Sequence, residues 1–253
     1  MTPKITGTLV MDPQSLEEGE RKNLTERLYG VHRQIFDGVG EDRFYSRVVC
    51  PPAQRTRILV ALDGSAWVGY HAVHGYRRAV GGRGHTVFRS EIGLLRPYRG
   101  QGLVLQAFAF YEFLRFKLRH PWEQTCFLDT AVHPASYRHG VRGLPGFTPH
   151  FRRAPRGKTL AWMNALAESF HLERVNPADP LVVKVGWITR EEATDRAFWQ
   201  GHPDPAVRFF LARNPGYAQG DGLLVWAPIT LPRLALVLGR GVFRYILPWR
   251  RPD

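Results

Sequence analysis

The sequence predicts a mixed α/β (α+β) fold in which a mainly antiparallel central sheet is flanked by helices and followed by a C-terminal α/β extension. Three observations carry that expectation. Two apolar runs, 57–62 and 66–73, are separated by Asp63-Gly64 in the pattern of a β-hairpin, for which the pair suits a type I′ turn. A third run of β-branched, aromatic and aliphatic residues, 85–95, reads as a neighbouring strand. It leads through the turn Arg99-Gly100-Gln101-Gly102-Leu103-Val104 into a helix on which Leu103, Ala107, Phe110 and Leu114 recur at helical spacing.

The other elements follow from the same periodicities. Residues 8–11 form a short strand, and Leu24, Leu28, Val31, His32, Ile35 and Phe36 define a helix that Gly38-Val39-Gly40 ends. After the long helix, residues 125–132 read as a strand, and His133-Pro134-Ala135-Ser136-Tyr137 opens a short helix. Beyond residue 150, helices are expected over 158–172, 191–200 and 206–213, and strands over 181–189 and 223–229. Pro203, Pro205, Asn214-Pro215-Gly216 and Gln219-Gly220-Asp221-Gly222 punctuate this part as turns. No repeat or low-complexity linker divides the chain, so the expected organisation is a core over 1–150 with an extension over 151–253 packed on it. Residues 231–249 are apolar with spaced arginines, a pattern that serves packing on the domain, a second subunit, a membrane interface or a pocket for an acyl chain.

With 253 residues, 44% of them hydrophobic and 12% aromatic, the chain has the material for a sizeable core and lacks the composition of a disordered protein. Its net charge of +13 attracts anionic lipid, acidic carrier proteins, polyphosphate cofactors or nucleic acid. The basic concentrations at Arg77-Arg78, 152–158 and Arg250-Arg251 form no DNA-binding motif, which disfavours nucleic acid. Cys50 and Cys126 are far apart and in no CxxC arrangement, so a disulfide framework and a cysteine zinc site are both unsupported, and a reducing cytoplasm fits. Cys126 lies in an apolar run as a buried, inert thiol. Residues 1–6 lack a signal-peptide core, and no apolar run approaches the ~20 residues of a membrane span.

A glycine turn between a strand and a helix brings backbone N–H groups and a helix N-terminus to one point, which is a way to hold a phosphate or pyrophosphate. The stretch 99–104 lacks the Gly-Lys-Ser/Thr ending of a P-loop and the three glycines of a dinucleotide fingerprint. It resembles the acyl-CoA motif of the GNAT superfamily of N-acetyltransferases, Arg/Gln-x-x-Gly-x-Gly/Ala. Arg99 and Gly102 match that motif, whereas Val104 departs from its last place. The order of elements over 24–150 is that family's order, and Gly146-Phe147 resembles the pair that follows its fourth helix.

The resemblance implies an acyltransferase whose donor is acetyl-CoA or another acyl-CoA, or an acyl-phosphopantetheine on an acidic acyl carrier protein, with no metal. Arg99, Gly100, Gln101, Gly102, Leu103 and Val104 would surround the phosphates, and a backbone N–H at Leu94 or Leu95 would polarise the thioester carbonyl. The acceptor, a primary amine on a small molecule or peptide, attacks directly. Glu91 stands where related enzymes often place an acidic residue and is the expected general base. His133 and Tyr137 are the alternatives for acid or base work, although the family's usual tyrosine would fall at Gly140. The extension and the apolar tail suggest an acyl chain longer than acetyl, as in a long-chain N-acyltransferase branch, with peripheral membrane contact. A metal pair at Asp129 and His133 gains nothing from nearby imidazoles, since period-two alternation puts His71 and His74 on opposite faces of their strand. The alternative class is a non-catalytic GNAT-like binding protein for nucleic acid or anionic membrane.

Overall fold

The computed structural model describes residues 3–155 and 157–246, with side chains in the last helix as far as Gly239. Arg156, Pro248-Trp249 and Arg250-Arg251, singled out by the sequence, lie outside the described residues.

The first half runs β1 (Gly7–Met11), α1 (Glu18–His32), β2 (Phe36–Asp37), α2 (Glu41–Phe44), β3 (Arg55–Asp63), β4 (Ala66–Val80), β5 (Arg83–Leu94), α3 (Leu103–Arg119), β6 (Thr125–Ala131) and α4 (Pro134–Gly143). The second half adds α5 (Gly157–Ser169), β7 (Arg174–Asn176), β8 (Asp179–Lys184), β9 (Ile188–Thr189), α6 (Ala193–Gln200), α7 (Pro205–Arg213), β10 (Asp221–Pro228) and α8 (Leu231–Ile246). Eight strands form one mixed sheet in the order β1-β3-β4-β5-β6-β10-β8-β7, and β2 pairs with β9 separately. Among the described residues of the large sheet only β5 and β6 are parallel. Because β10 lies between β6 and β8, residues after 150 complete the central sheet, and the expected boundary at 150 falls inside one continuous layer.

Alternation along the strands sorts the core. Ile58, Val60, Tyr70 and Ala72 pack beneath Leu24, Leu28 and Val31 of α1. On the opposite face Leu59, Val73 and Phe88 meet Leu105, Phe108 and Phe113 of α3. A third cluster joins Val87, Leu128 and Val225 to Tyr137, Met163, Leu166 and Phe210, which come from α4, α5 and α7.

Several boundaries differ from expectation for identifiable reasons. α1 starts earlier because Glu17 and Glu20 form a capping box, and it ends at His32, so Ile35 and Phe36 leave the helix. The β3–β4 turn centres on Gly64-Ser65, since Asp63 pairs with Ala66; only Gly64 has positive φ (58°), the type II′ pattern and not I′. The β4–β5 hairpin turns on Gly81-Gly82, both in the left-handed region. The predicted strand 181–189 divides into β8 and β9 around Gly186.

The core face of α3 is not the Leu103–Leu114 stripe. Leu105, Phe108, Ala109 and Phe113 point inward and are buried, whereas Leu103 and Ala107 are exposed and Phe110 and Leu114 only half-buried. The helix is apolar on both flanks, and spacing alone cannot choose between two stripes of equal period.

Candidate active site

The sheet opens between β5 and β6. These strands pair only over Thr86–Phe88 and Thr125–Phe127, after which β5 continues to Leu94 and β6 to Ala131 without pairing to each other. The Leu95 N–H donates to Val68 O at 2.9 Å, and the Thr86 N–H donates to Gln124 O on the other side at 2.9 Å. Antiparallel alternation therefore turns the N–H groups of Ser90, Ile92 and Leu94 toward the opening. Leu95, expected as an alternative donor to a thioester, has its N–H committed to Val68.

Asp129 bridges the start of the opening. Its Oδ2 accepts from the Ser90 N–H (3.2 Å) and the Ser90 hydroxyl (3.1 Å), so a carboxylate replaces the missing strand carbonyl. Burial, followed by the Glu91 charge, pushes the Asp129 carboxyl up to about 7, against the pull of Arg89 and the N–H donors.

Glu91 lies on the opposite face of β5 and is mostly buried. Its Oε2 is 2.7 Å from His74 Nε2, while His74 Nδ1 is 3.0 Å from the Thr56 hydroxyl, giving a polar row across three adjacent strands. Burial alone would raise the Glu91 pKa, but His74, Arg89 and Arg47 outweigh it and hold the carboxylate below its ordinary range. His71 points to the other face, where its Nδ1 sits 2.6 Å from Leu105 O, as the strand period requires.

At the outer end of β5 the chain turns into α3. Gly100 has φ +99°, a conformation that favours glycine. The Gln101 side chain is committed within the protein, accepting from the Ile5 N–H and donating to Pro3 O, each at 2.9 Å. Gly102 caps the helix with an ordinary φ of −69°, and a Cβ there would meet Leu94 only at 3.6 Å. The protein itself thus imposes no need for glycine at 102, whereas a ligand pressed against the backbone would. The first bond of α3 runs from the Gln106 N–H to Gly102 O, leaving the N–H groups of Leu103, Val104 and Leu105 as the unpaired donors of a helix start. Val104, the departure from the family motif, packs against the Leu105–Phe108 cluster. Two arginines at this mouth are held by the first turn of α6: Arg96 by Glu192 and by Asp195 (3.1 Å), and Arg99 by Asp195 at 3.8 Å.

The structure does not bring the remaining candidates into the opening. His133 caps α4, with Nδ1 accepting the Ala135 N–H at 3.1 Å and Nε2 lying 2.8 Å from Glu191, so both ring nitrogens are engaged. That pairing fixes the proton on Nε2. Tyr137 is fully buried, donates its hydroxyl to Pro149 O at 3.0 Å, and is pushed well above its ordinary pKa by burial. Its ring belongs to the core against Phe147 and Phe210, which is why it is unavailable for acid chemistry. Gly140 also has a packing cause: a Cβ there would sit 2.4 Å from the Phe147 ring.

Sequence reasoning missed Asp129 as a bridge, His74 as the partner of Glu91, and the acids of α6. Alternation gives part of the signal, since Arg89 and Glu91 share a face of β5, but the pairing of Arg96 with Glu192 spans 96 residues and leaves no local trace. A cleft of about 720 Å³ lies elsewhere, at the start of β6, lined in part by Trp122, Trp162 and Trp226. It holds little reactive chemistry: Lys117 donates to three backbone carbonyls, and burial pushes the Cys126 thiol up to about 12.

No protein-family model matches the chain, and no curated protein matches it in sequence. Among solved structures it is similar to a conserved protein from Enterococcus faecalis V583 (13% identity, TM-score 0.36), covering 56% of this chain and 32% of that one. It is also similar to Arabidopsis thaliana NAA60 in complex with acetyl-CoA (16% identity, TM-score 0.36; 54% of this chain, 84% of that one). A third is an acetyltransferase of the GNAT family from Streptococcus pneumoniae (12% identity, TM-score 0.35; 56% of this chain, 88% of that one). This chain spans about a third of the Enterococcus protein and most of the other two. At these TM-scores the likeness does not assign the chain to a family or an activity.

Proposed function

We propose that this protein is an N-acyltransferase that takes an acyl group from an acyl-CoA thioester and passes it to a primary amine. The observation that carries the reading is the opening between β5 and β6, lined by the N–H groups of Ile92 and Leu94 and leading to the glycine turn and free N-terminus of α3.

In this reading the N–H groups of Leu103, Val104 and Leu105 hold the donor's pyrophosphate, where the helix dipole favours negative charge. Arg96 and Arg99 add charge once they exchange the α6 carboxylates for phosphate. The edge of β5 pairs with the pantetheine amides as it would with an added strand. The Leu94 N–H donates to the thioester oxygen, stabilising the negative charge that develops there. Glu91 takes a proton from the incoming amine, directly or through one water. The C–N bond forms as the C–S bond breaks, and the thiolate leaves as CoA after taking up a proton. His133 and Tyr137 need have no part in these steps.

Gly102→Ala tests the reading. Because the protein tolerates a Cβ at this site, its melting temperature should change little, while CoA should lose about tenfold or more in affinity by isothermal titration, a cost of ~1.4 kcal/mol. Unchanged CoA affinity in the folded variant would remove the turn from the donor site.

The α6 carboxylates compete for the same guanidinium groups, so Asp195→Asn should tighten CoA binding. The expected gain is a few fold, in line with the ~0–1 kcal/mol of exposed ion pairs. Weaker binding would make Asp195 a support for Arg99 and not its competitor. A titration with acyl-CoAs of increasing length reads the preferred chain.

A further inference from the structure

Two half-buried arginines stand close to Glu91 without a carboxylate of their own. Arg89 shares a face of β5 with Glu91, two residues away along the strand, and Arg47 approaches from the turn Tyr45–Val49. The charges of both act on Glu91, yet the ion pair that Glu91 makes is with His74, at 2.7 Å. Among the described residues neither arginine forms an ion pair. Arg47 gives one hydrogen bond, to Val185 O at 3.0 Å, and the Nε of Arg89 is buried without a partner. The Arg89 guanidinium carbon lies 5.0 Å from the centre of the Phe170 ring, a contact that takes up a flat face of the cation and none of its N–H donors.

Cations drawn out of water are ordinarily kept together by an acid. Here burial, followed by the charges of Arg43 and Arg89, pulls the Arg47 pKa down to about 10 against the influence of Glu91. Asp129, the other carboxyl on which Arg89 acts, is bonded to Ser90 and raised to about 7, which makes it a poor counter-ion below that pH. Two guanidiniums against the single Glu91 carboxylate leave a positive charge unmatched, beside the group assigned to take the amine proton. A carboxylate on the ligand would match it, since guanidinium forks take carboxylates through paired N–H donors. That carboxylate and the reacting nitrogen must lie close together, because the Cα atoms of Arg89 and Glu91 are only ~7 Å apart along the strand. In an α-amino acid both groups are bonded to one carbon. Polyamines, which carry the opposite charge, would be repelled.

We propose that the acyl acceptor is an α-amino acid whose carboxylate is held by Arg47 and Arg89 while its amine faces Glu91. The inference rests on the acyltransferase reading and adds the class of acceptor to it. The free amine forms the C–N bond as the donor's C–S bond breaks, its proton passes to Glu91, and the carboxylate comes through the reaction unchanged.

The test compares each of the common amino acids with its own amide, with acetyl-CoA or palmitoyl-CoA as donor and the released CoA thiol as the readout. At least one amino acid should exceed its amide by about tenfold or more in kcat/KM. Arg47→Gln and Arg89→Gln should each raise KM for that amino acid by about tenfold and cut its advantage over the amide to a few fold or less, while acyl-CoA affinity by isothermal titration stays near that of the parent chain. If a glutamine variant fails to fold, as judged by its melting temperature, Arg47→Lys or Arg89→Lys, which keeps the charge and loses the planar fork, carries the same comparison. Equal use of acids and amides, turnover of spermidine alone, or an advantage that survives both substitutions would overturn the inference and leave the acyltransferase reading in place. Acyl-CoA binding with no amino acid acylated would overturn it as well. Failure to bind either acyl-CoA would strike down the acyltransferase reading, and this inference with it.

Discussion

Glu91→Gln is expected to lower kcat by about 10²- to 10⁴-fold, the usual contribution of a positioned general base. Donor affinity should stay nearly unchanged, because Glu91 belongs to the His74–Thr56 row and not to the glycine turn. The substitution keeps the shape of the side chain and a hydrogen-bonding group for His74, so a loss of turnover reports proton transfer more than packing. The pH dependence separates the two further. Glu91 is held ionised below its ordinary range, so the acid limb of the kcat profile should lie below the ordinary carboxylate pKa and vanish in the variant. If turnover falls but the acid limb survives, Glu91 is a positioning residue and another group is the base.

Asp129→Asn is expected to change how stability depends on pH. The Asp129 carboxyl is raised to about 7 in the folded protein from an ordinary value of 3.8, so the native state holds this proton more tightly than the unfolded chain. Stability from this group is present below the ordinary carboxylate pKa and is lost as pH rises toward about 7, beyond which the loss is complete. Asparagine cannot ionise, yet its carbonyl can still accept from Ser90. The variant should therefore gain stability relative to the parent chain as pH rises from about 4 to about 7, by an amount on the order of a few kcal/mol. Glu91→Gln should do the opposite, because a lowered carboxylate stabilises the fold at neutral pH and loses that contribution as pH falls. Urea denaturation at several pH values measures both. Parallel curves for the parent chain and the Asp129 variant would mean that the buried carboxyl does not titrate in this range.

The elements around the turn were legible because their signals are local. The β3–β4 hairpin follows from alternation around a glycine turn, and β5, the turn 99–104 and α3 appear in the predicted order. The sheet was legible only in part. That β10 enters between β6 and β8 depends on pairings across about 100 residues, such as Asp129 with Val225, which periodicity cannot specify. The inward face of α3 is not legible in the spacing because both its flanks are apolar, and the choice belongs to the sheet beneath it. Gly81-Gly82 carried a hairpin signal that the sequence reading passed over. At the proposed site, Glu91 is a candidate from its place on the central strand, whereas its partner His74 is set by register between β4 and β5. Tyr137 was misleading because a tyrosine in a short helix reads the same whether its hydroxyl meets substrate or, as here, Pro149 O in the core.

The central claim, that the β5 edge and the start of α3 hold the donor, is tested most directly by amide hydrogen exchange with and without acetyl-CoA. The account predicts new protection at the amides of Ile92, Leu94, Leu103, Val104 and Leu105, which have no strand or helix partner among the described residues. Protection confined to other regions, such as the tryptophan-lined cleft at Trp122, Trp162 and Trp226, or no change at saturating acetyl-CoA, would contradict it.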